Sequence, residues 1–311
     1  MPQVPHTTAV IVTYNSVTTI GQALDAARLS VEARELDVVL VDNASQDGTV
    51  DYVRSRYPWV EVIEHGGNHG FARGCNRGFE RVSTPYTLFL NPDAELGQDA
   101  LRTLYEFMES RPDCGVCAPA LVYPRGVFQF AGMMATPWAL IRQGLWGGFP
   151  SEKRSIEPGC EAFETNWLCG AVFLIRSDVF RAVGMMDPRY FLYFEETDIW
   201  RAVMRHNFSL WAVGKSVAKH EGGSSAKGSG RILANGCIVE FYYPSRFYYL
   251  RKNFGLVASI GAETITFGTF LIRSLLRRAL GKPTLPIRDR LAGGLCRAPK
   301  PVPNAAPPES N

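Results

Sequence analysis

The chain has 311 residues, with 33 Lys+Arg against 30 Asp+Glu, 46% hydrophobic and 20% charged, enough for one large domain or two small ones around a sizeable core. That balance excludes a disordered, collagen-like or coiled-coil chain, and the first residues lack the charged-then-apolar pattern expected of a secretory signal. Charge is uneven: residues 1–245 sum to −5 and residues 246–311 to +8, so a basic segment follows a mildly acidic body and suggests an anionic partner, a membrane surface or nucleic acid.

Thr8 to Thr13 is a short β-branched run that predicts a strand, and Ser16 is expected to cap an amphipathic helix in which Ile20, Leu24, Ala27 and Val31 recur at helical spacing. Asp37 to Val41 predicts a second strand, the polar turn Asp42 to Gly48 opens a helix through Tyr57, and Val60 to Ile63 a third strand. Ala72 to Val82 reads as helix and Tyr86 to Leu90 as a fourth strand. Alternating strands and helices joined by short loops imply βαβ units and a mainly parallel sheet, with ligands at the C-terminal strand edges. Those edges are Thr13-Tyr14-Asn15, Asp42-Asn43, the loop after Ile63, and Asn91-Pro92-Asp93.

From Phe128 to Glu164 the pattern weakens, and a long loop over the crevice is expected. Ala171 to Ile175 then predicts a strand and Ser177 the cap of a short helix. Glu195-Glu196-Thr197-Asp198 opens another helix, and two short strands near Leu210 and Val217 end at His220. The tail from Pro299 has the composition of a disordered segment. Seven cysteines, an odd number, predict free thiols in a reducing compartment. Cys114 and Cys117 form a lone C-x-x-C inside an apolar run, so small buried residues beside a strand are expected rather than half a zinc site.

Neither the dinucleotide fingerprint nor the P-loop motif is present. The glycine-rich run from Gly66 to Gly74 lets backbone approach a ligand closely, and Arg73 can meet a phosphate. Asp42 ends a buried strand, where a carboxylate can accept from a pyrimidine imide or a ribose hydroxyl. Asp93 ends another, where oxygen ligands suit Mg²⁺ or Mn²⁺, and His220 closes a strand with an imidazole available to metal or diphosphate. Glu195, Glu196 and Asp198 cluster at a helix start after the aromatic run Tyr190 to Phe194, which would partly desolvate a carboxylate and raise its pKa toward that of a general base. Arg201, one turn beyond Asp198, is its expected partner.

Taken together, Val12-Thr13-Tyr14-Asn15, Val41 to Thr49, Asn68 to Asn76, Leu90 to Asp93, Trp167 to Ala171, Phe194 to Asp198 and His220 resemble the inverting glycosyltransferase family 2, especially its rhamnosyltransferase-like bacterial members. The resemblance spans about residues 8–225 and implies the α/β GT-A fold, a Rossmann-like mainly parallel sheet flanked by helices. It also implies roles. Thr13, Tyr14, Asn15 and Asp42 would surround the nucleoside, while Asn68, Gly70, Arg73, Asn76 and Asn91 serve the rest of the donor. Asp93 with His220 would hold the divalent metal, and Glu196 would be the base. Trp167, Glu195 and Asp198 would line the acceptor. The wider family has Asp-x-Asp where this chain has Asn91-Pro92-Asp93, and often Glu-Asp at Glu195-Glu196.

The implied activity is single displacement of a sugar, with rhamnose from dTDP-rhamnose as first choice, onto a glycan or polyprenyl-diphosphate-linked acceptor. Other donors of the same fold, galactofuranose, galactose or N-acetylglucosamine on UDP, stand as alternatives. So does an inactive sugar-nucleotide or glycan-binding module, although binding alone requires no base. Residues 1–245 are expected to form the transferase, nucleotide half to about 125, and residues 246–298 a basic amphipathic extension. Phe254 to Ile272 holds one charge, Glu263, and precedes Arg273, Arg277, Arg278 and Lys282. That pattern suits a helix lying on anionic lipid, hence a cytoplasmic enzyme peripheral on the inner face of the cell membrane and not bound to nucleic acid.

Overall fold

The computed structural model describes residues 7–132, 134–146, 154–222, 233–234, 237–282, 287–297 and 299. The first half alternates as expected: β1 (Thr7–Thr13), α1 (Ile20–Glu32), β2 (Leu36–Asp42), α2 (Thr49–Arg56), β3 (Val60–Glu64), α3 (Phe71–Phe79) and β4 (Tyr86–Leu90). Next come β5 (Ala94–Leu96), α4 (Ala100–Glu109), β6 (Cys114–Tyr123), β7 (Val127–Phe128), β8 (Phe130–Ala131), α5 (Pro137–Trp146), β9 (Arg154–Ser155) and β10 (Phe163–Thr165). The rest is β11 (Val172–Arg176), α6 (Ser177–Ala182), α7 (Glu195–Arg205), β12 (Ser209–His220), β13 (Leu233–Ala234), β14 (Cys237–Ile238), α8 (Val239–Phe254), α9 (Leu256–Ala279) and α10 (Ile287–Ala292).

The main sheet runs β10-β12-β6-β11-β4-β1-β2-β3, with β1 to β4 mutually parallel and β11 antiparallel between β4 and β6. Strand order reverses at β1, so the ends of β1, β2 and β4 open into one crevice, where ligands of such sheets bind. Both faces are covered, which is why these strands read as continuous apolar runs. Val10 and Val12 face α3, α6 and α7 through Cys75, Phe79, Phe180 and Trp200. Ala9 and Ile11 face α1, α2 and α4 through Leu24, Val53 and Leu104. Helix α3 sits so close to β1 that a Cβ on Gly78 would lie 2.4 Å from Val10 Cγ1. Trp200, fully buried, packs edge-on to Phe173 at 4.8 Å and donates through Nε1 to Leu168 O at 2.8 Å.

Several expectations are corrected. Neither serine caps a helix with its side chain: α1 begins after Thr19, while Ser177 is the first residue of α6 and its hydroxyl meets that of Thr87. The expected loop over the crevice contains α5 and several short strands. The two strands ending at His220 are one, β12, with a register shift between Val213 and Val217. Residue 245, the expected boundary, lies within α8, just after Pro244. Cys114 and Cys117 are buried in β6, and all seven cysteines are free thiols. Residues 300–311 of the tail and 223–232 after His220 lie outside the described residues.

Candidate active site

On the nucleotide side, β1 and β2 pair with Thr13 opposite Asp42. Asp42, 2% exposed, accepts from Thr13 Oγ1 at 3.0 Å, from Ser45 N at 2.8 Å and from Ser45 Oγ at 2.5 Å. Asn15, in the left-handed region at φ 52°, donates its N–H to Ser45 Oγ and accepts from Gln46 N, both at 2.8 Å. The loops after β1 and β2 therefore brace each other, with the Tyr14 ring exposed at their edge. Asn43, at the strand end that the residue pattern marks, donates to Gly70 O at 3.1 Å and pairs with His65 Nδ1 at 3.0 Å. Burial pushes the His65 imidazole down to about 4, so it is neutral at pH 7.

The glycine-rich loop is locked to the segment that leads into α7. Gly70 has φ 85°, and a Cβ there would lie 2.3 Å from Phe191 O. Asn68 Oδ1 accepts from Gly70 N at 3.2 Å, and Phe71 N donates to Phe191 O at 2.8 Å. Arg73 donates through Nε to Pro188 O at 3.1 Å. Asn76, expected along the donor, gives 2.7 Å to Met186 O and takes 3.1 Å from Met186 N, so its amide clamps that segment.

At the opposite wall, β5 pairs with β12 so that Ala94 lies opposite His220. That register brings Asp93 Oδ1 to 3.1 Å from His220 Nε2, with Asn91 Nδ2 at 3.5 Å from the same nitrogen. His220 is 7% exposed and its Nδ1 is buried without a hydrogen-bond partner. No group of three or more His, Cys, Asp or Glu side chains suited to a metal occurs among the described residues. One carboxylate and one imidazole at a strand end still form a donor pair for Mn²⁺ or Mg²⁺, provided that the ligand supplies the other oxygens.

The turn before α7 is strained: Tyr193 and Phe194 both take positive φ, 69° and 68°. Helix α8 holds it there. Tyr193 Oη accepts from Ile238 N at 2.9 Å, Ser245 Oγ donates to Leu192 O at 2.9 Å, and Phe194 packs on Tyr242 and Tyr249. The strain buries Glu195, 5% exposed, against α3, with Oε2 lacking any partner. Burial, reinforced by the neighbouring Glu196 charge, pushes the Glu195 carboxyl well above the usual range. Glu196 is half-buried and points the other way, its Cβ 3.1 Å from where a Cβ on Gly170 would sit. Burial pushes its carboxyl up to about 7, against the pull of backbone N–H groups at the helix start. Burial, with the charges of Glu196 and Asp93 both adding, pushes the Cys169 thiol up to about 11.

Asp198 faces away from this wall. It meets Lys252 Nζ at 2.5 Å and Asn253 Nδ2 at 2.8 Å, both on α8, while Arg201 lies over the Phe254 ring at 4.4 Å; the expected Asp198 to Arg201 pair is not formed. Trp167 donates through Nε1 to Thr197 Oγ1 at 3.0 Å, which places the indole beside Glu196.

The family model of glycosyl transferase family 2 matches residues 8–184, more than half of the chain. The chain belongs to this family. A Mycobacterium tuberculosis protein named N-acetylglucosaminyl-diphospho-decaprenol L-rhamnosyltransferase is 27% identical over 247 residues, 72% of this chain and 79% of that one. The Haloferax volcanii low-salt glycan biosynthesis hexosyltransferase Agl10 is 26% identical over 180 residues, 56% of this chain and 55% of the relative. In fold, the chain is similar to GalNAc-T7, solved with UDP, GalNAc and Mn²⁺, at TM-score 0.58 and 13% identity, covering 92% of this chain and 59% of that one. S. aureus TarS 1-349 gives TM-score 0.52 at 13% identity, covering 92% of this chain and 89% of that one.

This glycosyltransferase thus carries its family's α/β architecture, and its two walls meet over the strand ends. Sequence reasoning missed the part played by α8. Its aromatic spacing, Tyr242, Tyr249 and Phe254, was the available signal, but only the packing shows that it fixes the Glu195-Glu196 turn.

Proposed function

We propose that this glycosyltransferase transfers L-rhamnose from dTDP-rhamnose to a hydroxyl of a glycan or polyprenyl-diphosphate-linked acceptor, with inversion and with Glu196 as base. The observation that carries the reading is the split between the two acids: Glu195 is sealed, with burial pushing its carboxyl well above the usual range, while Glu196 sits half-buried at the crevice with a carboxyl poised at about 7. The mycobacterial relative's name supports the sugar and the acceptor class. A UDP-linked hexose is the second reading, favoured by the UDP held in the GalNAc-T7 structure.

In the reaction, Glu196 accepts the proton of the acceptor hydroxyl as that oxygen bonds to the anomeric carbon, and the bond from that carbon to the diphosphate oxygen breaks. Thr13, Asn15, Asp42 and Asn43 keep the loops around the nucleoside fixed, because each is already bonded within the protein. Trp167 offers an indole face to a sugar ring, held in place by Thr197. Asp93 and His220 would hold a divalent cation, which when bound neutralises charge on the departing diphosphate.

Helix α9 is 24 residues long and apolar enough to cross a membrane by length and composition. Its Glu263, however, is buried in ion pairs to Arg246 and Arg290, which argues for a helix lying against the domain. Val257, Ile272, Leu275 and Leu280 are exposed at 87%, 58%, 64% and 68%, next to Arg273, Arg277, Arg278 and Lys282. An apolar ridge flanked by cations suits the interface of an anionic cytoplasmic leaflet.

Incubating the purified enzyme with dTDP-rhamnose, UDP-galactose and UDP-N-acetylglucosamine, with and without Mn²⁺, and an N-acetylglucosaminyl-diphosphoisoprenoid tests this reading. It predicts transfer from dTDP-rhamnose; transfer from a UDP-sugar alone would replace it with the second.

A further inference from the structure

Helices α5, α8, α9 and α10 line a half-open pocket of about 360 Å³ behind the turn that carries Glu196, within the size range of ligand sites. Arg246, Arg273 and Arg290 line it, and among the described residues no acid is in its lining. The carboxylate that meets these cations is Glu263, 2% exposed, which takes Arg246 through Nε and Nη2 at 2.7 Å each and Arg290 through Nη2 at 2.9 Å. Arg273 reaches only a neutral acceptor, Leu145 O at 2.9 Å. Arg246 and Arg290 are 8% and 5% exposed, so much of this positive charge is withdrawn from water. Among the described residues, two buried guanidinium groups share one carboxylate, an excess of one positive charge, and half-buried Arg273 adds a third cation at the rim, a balance that a bound anion would complete.

Position narrows the anion. On the inner side, Tyr242 of the lining packs on Phe194 at 5.4 Å and on Tyr193 at 5.9 Å, the turn that aims Glu196. On the outer side, Arg273 is followed by the exposed Leu275 and Leu276, and the Leu145 carbonyl it holds belongs to an exposed apolar residue of α5. A ligand filling the cavity would have a hydroxyl-bearing part toward the base and an apolar part along α5 and α9. Guanidinium forks match phosphate oxygens in geometry as well as charge.

We infer that this cavity binds the diphosphate of an isoprenoid-linked acceptor, with the glycan directed toward Glu196 and the isoprenoid chain along the exposed ridge of α9. The inference rests on the acceptor class proposed above. It assigns Arg246, Arg273 and Arg290 to the acceptor diphosphate and leaves the donor diphosphate to the strand ends.

The test is direct binding to the full-length protein, with farnesyl diphosphate, farnesol and inorganic pyrophosphate as probes. The variants are Arg273→Glu and the cavity-filling Thr269→Trp; Arg246 and Arg290 are avoided, because truncating either strips Glu263 of a partner and threatens the fold. Farnesyl diphosphate should bind at least tenfold more tightly than either fragment. Each variant should weaken it at least tenfold while nucleotide diphosphate binding and melting temperature stay as in the wild type.

Pyrophosphate binding as tightly as farnesyl diphosphate would make this a free-anion site and overturn the inference. Farnesol binding as tightly would reduce it to an apolar patch. Displacement of the probe by phosphatidylglycerol vesicles at equal phosphate would reassign it to bilayer lipid, and unchanged binding in both variants would move the probe elsewhere. Binding does not require turnover, so the two readings fail separately: a dead transfer assay with variant-sensitive binding sinks the proposed transfer and leaves an isoprenoid-diphosphate site, and normal transfer with variant-insensitive binding sinks the cavity alone.

Discussion

At the ends of β1 and β2, Thr13, Asn15, Asp42, Asn43 and Ser45 are bonded to one another and to the glycine-rich loop, whereas around α8 and α9 two arginines share one carboxylate, a third meets only a carbonyl, and a row of aliphatic side chains is exposed. The donor side is satisfied within the protein, so its geometry is set before a nucleotide arrives. The proposed acceptor side keeps a positive charge in excess and apolar surface exposed, which a bound acceptor would balance. Glu196 sits at the seam, on a turn whose strain is held by acceptor-side aromatics.

The largest expected effect separates the two sides at that seam. Glu196→Gln should lower turnover by about 10² to 10⁴ while leaving donor binding intact, measured by steady-state transfer beside a nucleotide titration. Stability should move the other way. The Glu196 carboxyl is raised to about 7 from its ordinary 4.5, so its stabilising contribution is complete below pH 4.5 and is lost as pH rises through 7. The Gln variant escapes that loss and should melt no lower than wild type at pH 8, a difference that narrows at pH 5.

Next, Asp93→Ala should cost about 10²-fold in turnover, since a diphosphate leaving group stripped of its countercharge loses several kcal/mol of stabilisation. A Mn²⁺ titration of activity checks it, and wild-type rates at saturating metal would remove Asp93 from the mechanism. Asp198→Asn tests the acceptor-side scaffold. It removes the charge facing Lys252 and should destabilise by about 1–3 kcal/mol, read from denaturant unfolding, with activity falling as α8 loosens from α7.

The smallest effect concerns the ridge of α9. Raising ionic strength from 0.1 to 0.5 M should weaken binding to anionic vesicles several-fold, as the Debye length shortens from about 10 Å, and truncation after Tyr243 should abolish it. Because α8 also braces the catalytic turn, that truncation should lower activity on a soluble acceptor as well. Full activity in the truncated protein would show that α8 is dispensable to the site.

How far the sequence could be read follows the same division. Strands β1 to β4 are apolar on both faces and bounded by turn residues, so their order and the crevice at their ends were legible. Helix α5, from Pro137 to Trp146, escaped because its residues alternate without a clear polar face, both sides being partly covered. The break in β12 came from its register shift, which places Gly214 and Lys215 inside one strand. Asn76 matches a binding motif and its amide also holds Met186, and no spacing rule distinguishes a side chain that touches a ligand from one that holds the loop touching it. Arg246, Glu263 and Arg290 lie far apart in the chain and meet only when α8, α9 and α10 pack.

The central claim, that a half-buried Glu196 is the base of glycosyl transfer, is tested most directly by the pH dependence of kcat/KM for transfer in wild type and Glu196→Gln. A base must be unprotonated to act, so the wild-type rate should rise with pH and level off above about 7, while the residual rate of the Gln variant stays flat through that window. A wild-type profile already level from pH 5 to 8, or the same rise in both proteins, would contradict the account and move the base to another residue.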